Sequence, residues 1–279
     1  MKYPYTLYPG LQVTPGSIIR ARFYYNTLMS AKTPKISRTW FQNTFDSLYP
    51  ILYAHRTIEA ARPETLFSIK QTGLKAGDCV LDLCCGGGRH MVHLIETTQH
   101  VTGLDYSPHL LEIARQTVGP AIPLIRGDMR KLPFVEKFDV VMNYFTSFGY
   151  FHHQAENQQV MHEMVKALKP GGRLFIDYMN KEHAIQNLES ETRRVSEGFN
   201  VIERRWIEND ESRINKATII SQGDDEIKHS GESVQLYTES EFTEMIEKAG
   251  IMIDSIFGDY TEAALSPELP RMIVIGRKT

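Results

Sequence analysis

Only three of the 279 residues are cysteine, and Cys79, Cys84 and Cys85 all fall in one short stretch. With no second pair elsewhere and no C-x-x-C spacing, a four-ligand zinc site and a dithiol redox motif are disfavoured. Adjacent cysteines are poorly placed to bridge each other, because a disulfide needs well-separated Cα atoms. The thiols therefore read as small apolar packing residues, and their scarcity fits a reducing, cytoplasmic compartment. No apolar run is long enough to cross a bilayer, and the Tyr- and Pro-rich opening residues lack the apolar core of a signal peptide. A clustered basic tract is also missing, and a net charge of -3 argues against a nucleic-acid partner. Among ten histidines, His90 and His93 share a helix face and His152 and His153 are adjacent, but no carboxylate stands at metal-ligand spacing, so no metal is expected. Repeats and low-complexity tracts are absent. A 42% hydrophobic content over this length supports one large core, hence one principal domain with appendages.

What is present begins with "VLDLCCGGGRH", Val80 to His90. Cys79 to Leu83 is short, apolar and partly β-branched, a buried strand. Helical spacing starts at Arg89, so Gly86, Gly87 and Gly88 occupy a strand-to-helix bend. Glycine there permits unusual dihedrals, and the next helix points free N–H groups at whatever fills the bend. A dinucleotide loop would need a third glycine where Met91 stands. A P-loop would need Lys-Ser/Thr where Arg89-His90 stands.

The segments that follow repeat the strand–helix rhythm. "HVTGLDYSPHLLEIAR" holds a second strand ending at Asp105, then a serine cap at Ser107 with Pro108 at the first helical position. An acid about 20 residues beyond the first suits ribose hydroxyls. A third strand (Ile122 to Ile125) leads to Gly127-Asp128-Met129, and a fourth (Phe138 to Asn143) runs into the aromatic loop "YFTSFGYFHH". The Pro170-Gly171-Gly172 turn precedes a fifth strand, Arg173 to Tyr178. Alternation of this kind predicts right-handed crossovers and a parallel sheet.

Taken together, these motifs resemble the class I S-adenosylmethionine-dependent methyltransferases of the small-molecule type. Asp82-Leu83-Cys84-Cys85-Gly86-Gly87-Gly88 stands where that family has acid-x-Gly-x-Gly-x-Gly, with Cys84 replacing the first glycine. The resemblance implies a Rossmann-like α/β fold: a mostly parallel sheet with an antiparallel closing strand pair, an N-terminal helical region, and an antiparallel β insert after the fifth strand. It also implies S-adenosyl-L-methionine as cofactor. Asp82, Cys84, Gly86 and Gly88 would form the bend, Asp105 would hold the ribose with Tyr106 along the adenine, and Asp128 and Met129 would face the adenine. Asn143, Tyr144, Phe145, Ser147, Phe148 and Tyr150 would line the junction of methyl donor and acceptor. Ahead of the first strand, Tyr53, His55 and Arg56 are candidates to hold the methionine carboxylate, with Tyr49 or Trp40 closing the pocket.

The expected organisation is an arm over residues 1–35, a helical lid over 36–75, a cofactor core over 76–180, an antiparallel cap over 181–238, and a closing helix and strands over 239–279. The arm's role stays open among an active-site cover, a homodimer contact and a disordered tail. The expected reaction is in-line methyl transfer to a small-molecule acceptor, with neither nucleic acid nor membrane as partner. If the acceptor arrives protonated, His152, His153 and Tyr178 are the nearest candidate bases by loop position. Methylation of protein or RNA, or a non-catalytic cofactor-binding module, are the alternatives.

Overall fold

The computed structural model describes residues 34–223 and 225–279. The arm expected over 1–35 therefore lies outside the described residues, apart from Pro34 and Lys35. The apolar segments form β1 (Val80–Leu83), β2 (Val101–Asp105), β3 (Leu124–Arg126), β4 (Phe138–Asn143) and β5 (Leu168–Met179). The third strand starts later than the apolar pattern suggested, because Pro123 has no N–H to give a ladder. Its carbonyl still accepts from Gly103 N at 2.9 Å. With β10 (Ile251–Phe257) and β11 (Arg271–Lys278), these strands make a seven-stranded sheet ordered β10-β11-β5-β4-β1-β2-β3. The pairs from β3 to β5 are parallel, whereas β11 runs antiparallel to both β5 and β10.

Both faces of this sheet are covered, which is why its strands read as continuous apolar runs rather than alternating ones. Leu81, Leu83, Val141, Leu174 and Ile176 pack with Met161 and Met164 of α6 (Gln154–Ala167) and Phe242 and Ile246 of α8 (Glu239–Lys248). Val80, Val140, Met142 and Phe175 face Phe67 of α3 (Ile58–Thr72) and Met91 and Leu94 of α4 (Arg89–Thr97). The helix ends carry their own stop and start signals. Thr57 caps α3 by accepting from Ala60 N, Gly73 closes it in a left-handed conformation, and Ser107 caps α5 (Pro108–Val118). Thr238 and Glu241 form a reciprocal capping box on α8. From β1 the chain moves outward to β2 and β3, then returns to β4 on β1's other side. That reversal opens a crevice beyond the carboxyl ends of β1 and β4, the place where open α/β sheets take ligands.

After β5 come α7 (Lys181–Gln186) and four antiparallel strands, β6 (Glu191–Ser196), β7 (Phe199–Ile207), β8 (Arg213–Gln222) and β9 (Asp225–Gln235), paired in chain order. Within the strand-like run "SVQLYT", Ser233 to Thr238, only residues 233–235 belong to β9. The edge strand β6 was illegible because "ETRRVS" has almost no apolar face. Cross-strand ion pairs support it instead, Arg194 with Glu203 at 2.8 Å and Arg204 with Glu191 at 2.8 Å. This small sheet lies on α1 (Phe41–Thr44) and α2 (Tyr49–Leu52): Thr44 Oγ1 donates to Gly231 O, Ser196 Oγ to Ile51 O and Arg194 to Leu52 O. No helix among the described residues is long and apolar enough to cross a membrane.

A buried arginine ties the small sheet to the loop after β4. Arg213 of β8 is 3% exposed and has no carboxylate partner among the described residues. Its guanidinium donates to the carbonyls of Gly149 (3.4 Å), Tyr150 (3.2 Å), Phe151 (3.1 Å) and Ser233 (2.6 Å), and to Ser233 Oγ and Gln235 Oε1. Removing it would strand several buried acceptors. Arg213→Met should lower unfolding free energy by about 2–4 kcal/mol, given roughly 1–3 kcal/mol for each buried group left unsatisfied. Urea denaturation followed by far-UV circular dichroism measures this, and a loss under about 0.5 kcal/mol would show that the clamp contributes little.

Candidate functional site

The crevice at the sheet's switch point holds a cavity of about 400 Å³, within the range of small-molecule sites. Its floor is the bend after β1. Cys84 N and Cys85 N both donate to Leu104 O, at 2.7 and 3.1 Å, which turns the chain sharply away from the strand. Cys84 (φ 64) and Gly86 (φ 53) take left-handed conformations, so the position where Cys84 replaces a glycine is strained for a side chain. Gly86 N donates to Asp105 Oδ2 at 2.9 Å and Ser107 N to Asp105 Oδ1 at 2.8 Å. Asp105 thus locks the bend to the end of β2 and retains lone pairs for further donors. Tyr106, Gly127, Asp128 and Met129 continue the wall on that side. Asp128 is held by Arg130 at 2.6 Å, and hydrogen bonds from Arg130 hold its carboxyl below the usual range against the opposing effect of burial.

The opposite wall is aromatic and cationic. Arg56, between α2 and α3, has its guanidinium carbon 3.9 Å from the Tyr53 ring centroid and 4.3 Å from that of Phe145. It reaches the Tyr49 hydroxyl at 3.4 Å but forms no ion pair among the described residues. A guanidinium held between two rings with no carboxylate beside it suits an anionic group of a ligand. Arg89 and His90, at the start of α4, also line the cavity. Both meet Glu64, at 3.1 and 2.7 Å, and His90 stacks on Tyr144 at 4.0 Å. Burial pushes His90 down to about 4, outweighing the opposing Glu64 hydrogen bond, so the ring is neutral at physiological pH.

Loop residues Tyr144, Phe145, Ser147 and Tyr150 complete the wall. Phe145 (φ 57) and Thr146 (φ 61) are consecutive left-handed residues, a conformation that persists only where the surroundings impose it. Asp177, within β5, imposes it. Its Oδ2 accepts from Phe145 N at 2.8 Å and from the Tyr260 hydroxyl at 2.5 Å, its carbonyl accepts from Thr146 N at 2.8 Å, and Arg271 pairs with Oδ1 at 2.6 Å.

Several expected site residues sit elsewhere. Tyr178 is fully buried, donates its hydroxyl to Gln235 O and stacks on Phe242, so it cannot reach a ligand as a base. Phe148 is equally buried and packs edge-on against Phe242 at 5.7 Å. His152 and His153 lie beyond the cavity wall, with His153 preceding α6. Gly88 also lies outside it; a Cβ there would come within 3.2 Å of Val118, so its smallness serves the packing of α4 on α5. Asn143 lies behind the wall, donating to Leu83 O and Ser147 O and so bracing the loop. Asp82 is 1% exposed, and its Oδ2 has no hydrogen-bond partner. Trp40 and His55 do not line the cavity, whereas Tyr49 does. The reading of the sequence missed Asp177, Arg271 and the place of His90 in the cavity wall. An acid inside the apolar run "FIDY" was the one available signal. Among the described residues, no group of three or more His, Cys, Asp or Glu is arranged to hold a metal ion.

Residues 80–172 match a family described as a methyltransferase domain. A demethylmenaquinone methyltransferase from Listeria welshimeri is 36% identical over 121 residues, covering 40% of this chain and 48% of that protein. A chloroplastic 2-phytyl-1,4-beta-naphthoquinone methyltransferase from Arabidopsis thaliana is 37% identical over 128 residues, 42% of this chain and 47% of that one. The chain thus spans about half the length of these relatives. Among solved structures, an S-adenosylmethionine-dependent methyltransferase from Clostridium acetobutylicum matches with a TM-score of 0.68 at 14% identity, over 94% of this chain and 98% of that one. An amino pentose methyltransferase from Micromonospora echinaspora gives 0.64 at 19%, over 89% and 100%.

Two buried groups make stability depend on pH. Burial, with the charge of Asp105 adding to it, pushes Asp82 from 3.8 up to about 7. The folded protein then holds a proton that the unfolded chain has lost, so Asp82 contributes stability below pH 4 that declines as pH rises to 7. His90 acts in the opposite sense: it is neutral in the fold, and its contribution falls as pH drops from 6.5 towards 4. Asp82→Asn should remove the first effect. Relative to the unsubstituted protein it should gain stability from pH 4 to 7, by a few kcal/mol, since each tenfold change in proton affinity between folded and unfolded chains is about 1.4 kcal/mol. Paired urea titrations at pH 4.5 and 7.5 would reject the assignment if the difference between the two proteins stays constant.

Proposed function

We propose that this chain, whose residues 80–172 match a methyltransferase domain, is a class I methyltransferase that transfers a methyl group from S-adenosylmethionine to a small-molecule acceptor. The observation that carries this reading is the composition of one cavity: a glycine bend tied to the acid of β2 on one side, and a carboxylate-free arginine between aromatic rings on the other. The residues fit that cofactor. Asp105 would accept from ribose hydroxyls, Asp128 and Met129 would face the adenine, and Arg56 would pair with the amino-acid carboxylate. Asp82, whose buried Oδ2 has no hydrogen-bond partner and whose proton burial retains up to about pH 7, would give up that proton more readily beside a cationic ligand. When bound, the cofactor supplies an electrophilic methyl group on a sulfonium.

The chain's own part is alignment and exclusion of water. Phe145 and Tyr150 contribute aromatic surface to the cavity wall, which excludes water from the bound cofactor. Displacement at a methyl carbon needs the nucleophile held in line, so a rigid loop outweighs acid–base groups in importance. Cover from α1 and α2, on which the four-stranded sheet lies, favours a compact acceptor and strengthens the electrostatics inside. The unpaired thiols of Cys79, Cys84 and Cys85 accord with a reducing, cytoplasmic setting.

Calorimetry tests the reading. S-adenosylhomocysteine should bind, and NAD should not. Arg56→Ala should weaken S-adenosylhomocysteine about 10- to 100-fold, from the roughly 1.5–3 kcal/mol of a charge-assisted hydrogen bond. Gly86→Val should abolish binding while the circular dichroism spectrum stays folded, because a β-branched residue resists φ near +53. Binding of NAD without S-adenosylhomocysteine would overturn the proposal.

A further inference from the structure

Beside the cofactor cavity lies a second chamber of about 230 Å³, between the loop after β4 and the inner face of the four-stranded sheet. The two share Phe45, Tyr49, Tyr53, Arg56, Phe145 and Tyr150 as a common wall. Resting on the methyl-transfer reading, we propose that this chamber takes the methyl acceptor, a flat ring bearing an acidic hydroxyl, held as its oxyanion against Lys216.

Shape and charge both point to that class. Five of the shared residues are aromatic. Phe45 and Tyr150 stack with their planes 24° apart, and Tyr49 and Tyr53 sit with ring centroids 4.5 Å apart. Such faces take a planar ring. The charged residues in the chamber wall are Arg56, Arg205, Lys216, Arg271 and a single carboxylate, Glu232. Arg205 and Arg271 find their carboxylates, Glu203 and Asp177, outside the wall. Lys216 stands 2.7 Å from Glu232 and 3.9 Å from Glu203, which leaves Arg56 as the wall cation without an ion pair among the described residues. Four cations against one wall carboxylate disfavour an ammonium and favour an oxyanion.

Lys216 is the focus. It projects from the middle of β8, with its side chain 13% exposed, donates to the Tyr53 hydroxyl and pairs with Glu232 at 2.7 Å. The Tyr53 hydroxyl donates in turn to Glu232 Oε1 at 3.1 Å. Tyr53 belongs to both compartments, so this Lys–Tyr–Glu cluster stands at the passage between donor and acceptor. Burial raises the phenols of Tyr49 and Tyr53 well above their ordinary value, so both stay protonated. The Tyr53 hydrogen is donated to Glu232, and Tyr49, which accepts from Arg56, keeps its own to donate to a guest oxygen. An acceptor that arrives ionised needs no base, which accords with the placement of His152, His153 and Tyr178 outside the cavity. Its oxygen then gives an electron pair to the methyl carbon, while the C–S pair returns to sulfur and leaves a neutral thioether.

The probe is 4-nitrophenol, whose anion absorbs in the visible, titrated into the full chain with and without S-adenosylhomocysteine, with benzylamine as cationic competitor. Bound nitrophenol should appear as its anion at least one pH unit below its free titration midpoint. Lys216→Met should abolish that displacement and weaken binding tenfold or more. Glu232→Gln should act in the opposite direction, tightening binding by removing the wall's carboxylate. A variant that merely unfolds cannot produce that gain. Both variants should bind S-adenosylhomocysteine within twofold of the unsubstituted protein. Nitrophenol bound in its neutral form, benzylamine bound more tightly than nitrophenol, or equal losses in the two variants would each overturn the proposal. Failure of the unsubstituted chain to bind S-adenosylhomocysteine would instead refute the methyl-transfer reading, while the nitrophenol spectrum would still decide what the chamber holds.

Discussion

The site depends on one buried carboxylate. Asp177 sits on β5 beside the end of β4, and through Phe145 N, the Tyr260 hydroxyl and Arg271 it holds two consecutive left-handed residues in place. Strain of this kind costs of order 1–3 kcal/mol per residue and survives only when the surroundings over-determine it. Its effect is to turn the Phe145 ring towards the cavity, where the guanidiniums of Arg56, Arg89 and Arg271 lie 4.3, 5.1 and 5.1 Å from the ring centroid. The same loop is gripped from the other side by Arg213, which takes the carbonyls of Gly149, Tyr150 and Phe151. A segment that would otherwise be a mobile connection is thereby fixed between an acid of the large sheet and a base of the small one. Both anchors are buried, so neither is screened by solvent.

The electrostatic layout follows from where each charge finds its partner. On the bend side, Asp82 and Asp105 are buried close together, and burial raises the pKa of both. On the lid side, cations face inward and most of their counter-ions face away. A ligand with a positive centre near the bend and negative groups towards the lid would relieve both sides at once. The zwitterionic end of an amino-acid-bearing cofactor and an oxyanionic acceptor have that pattern between them. The stability that burying these groups costs the fold becomes binding energy when their partners arrive.

Legibility of the site from the sequence varied with the physical origin of each role. The bend at Cys84–Gly88 and the acid at Asp105 were readable because backbone geometry at the end of a strand demands particular residues at fixed spacing, whereas Asp128 and Met129 were named only through resemblance. Arg56 could be named only through resemblance, since nothing local marks an arginine between two short helices. Tyr178 and Phe148 were misplaced because an aromatic residue near a loop looks the same in sequence whether it faces a cavity or the core. The sign is set by one residue of register in β5 and by the packing of Phe242. Lys216, Glu232 and Arg213 gave no signal at all, because on two-sided polar strands charges read as solvent-facing until another layer covers them.

By itself, then, the sequence determined the order of elements, the parallel core and the nucleotide-type bend, since hydrophobic period, caps and glycine positions are local and nearly sufficient. It also indicated that an antiparallel unit follows the fifth strand, and it missed the charged edge strand β6, whose stability comes from ion pairs with its neighbour. Tertiary structure alone decided which charges point inward, which aromatic rings form wall and which form core, and that a second chamber adjoins the first. Those outcomes depend on contacts between residues far apart in the chain, such as Tyr53 with Glu232 and Arg213 with Gly149. No periodicity encodes such pairs; only the docking of one sheet over another brings them together.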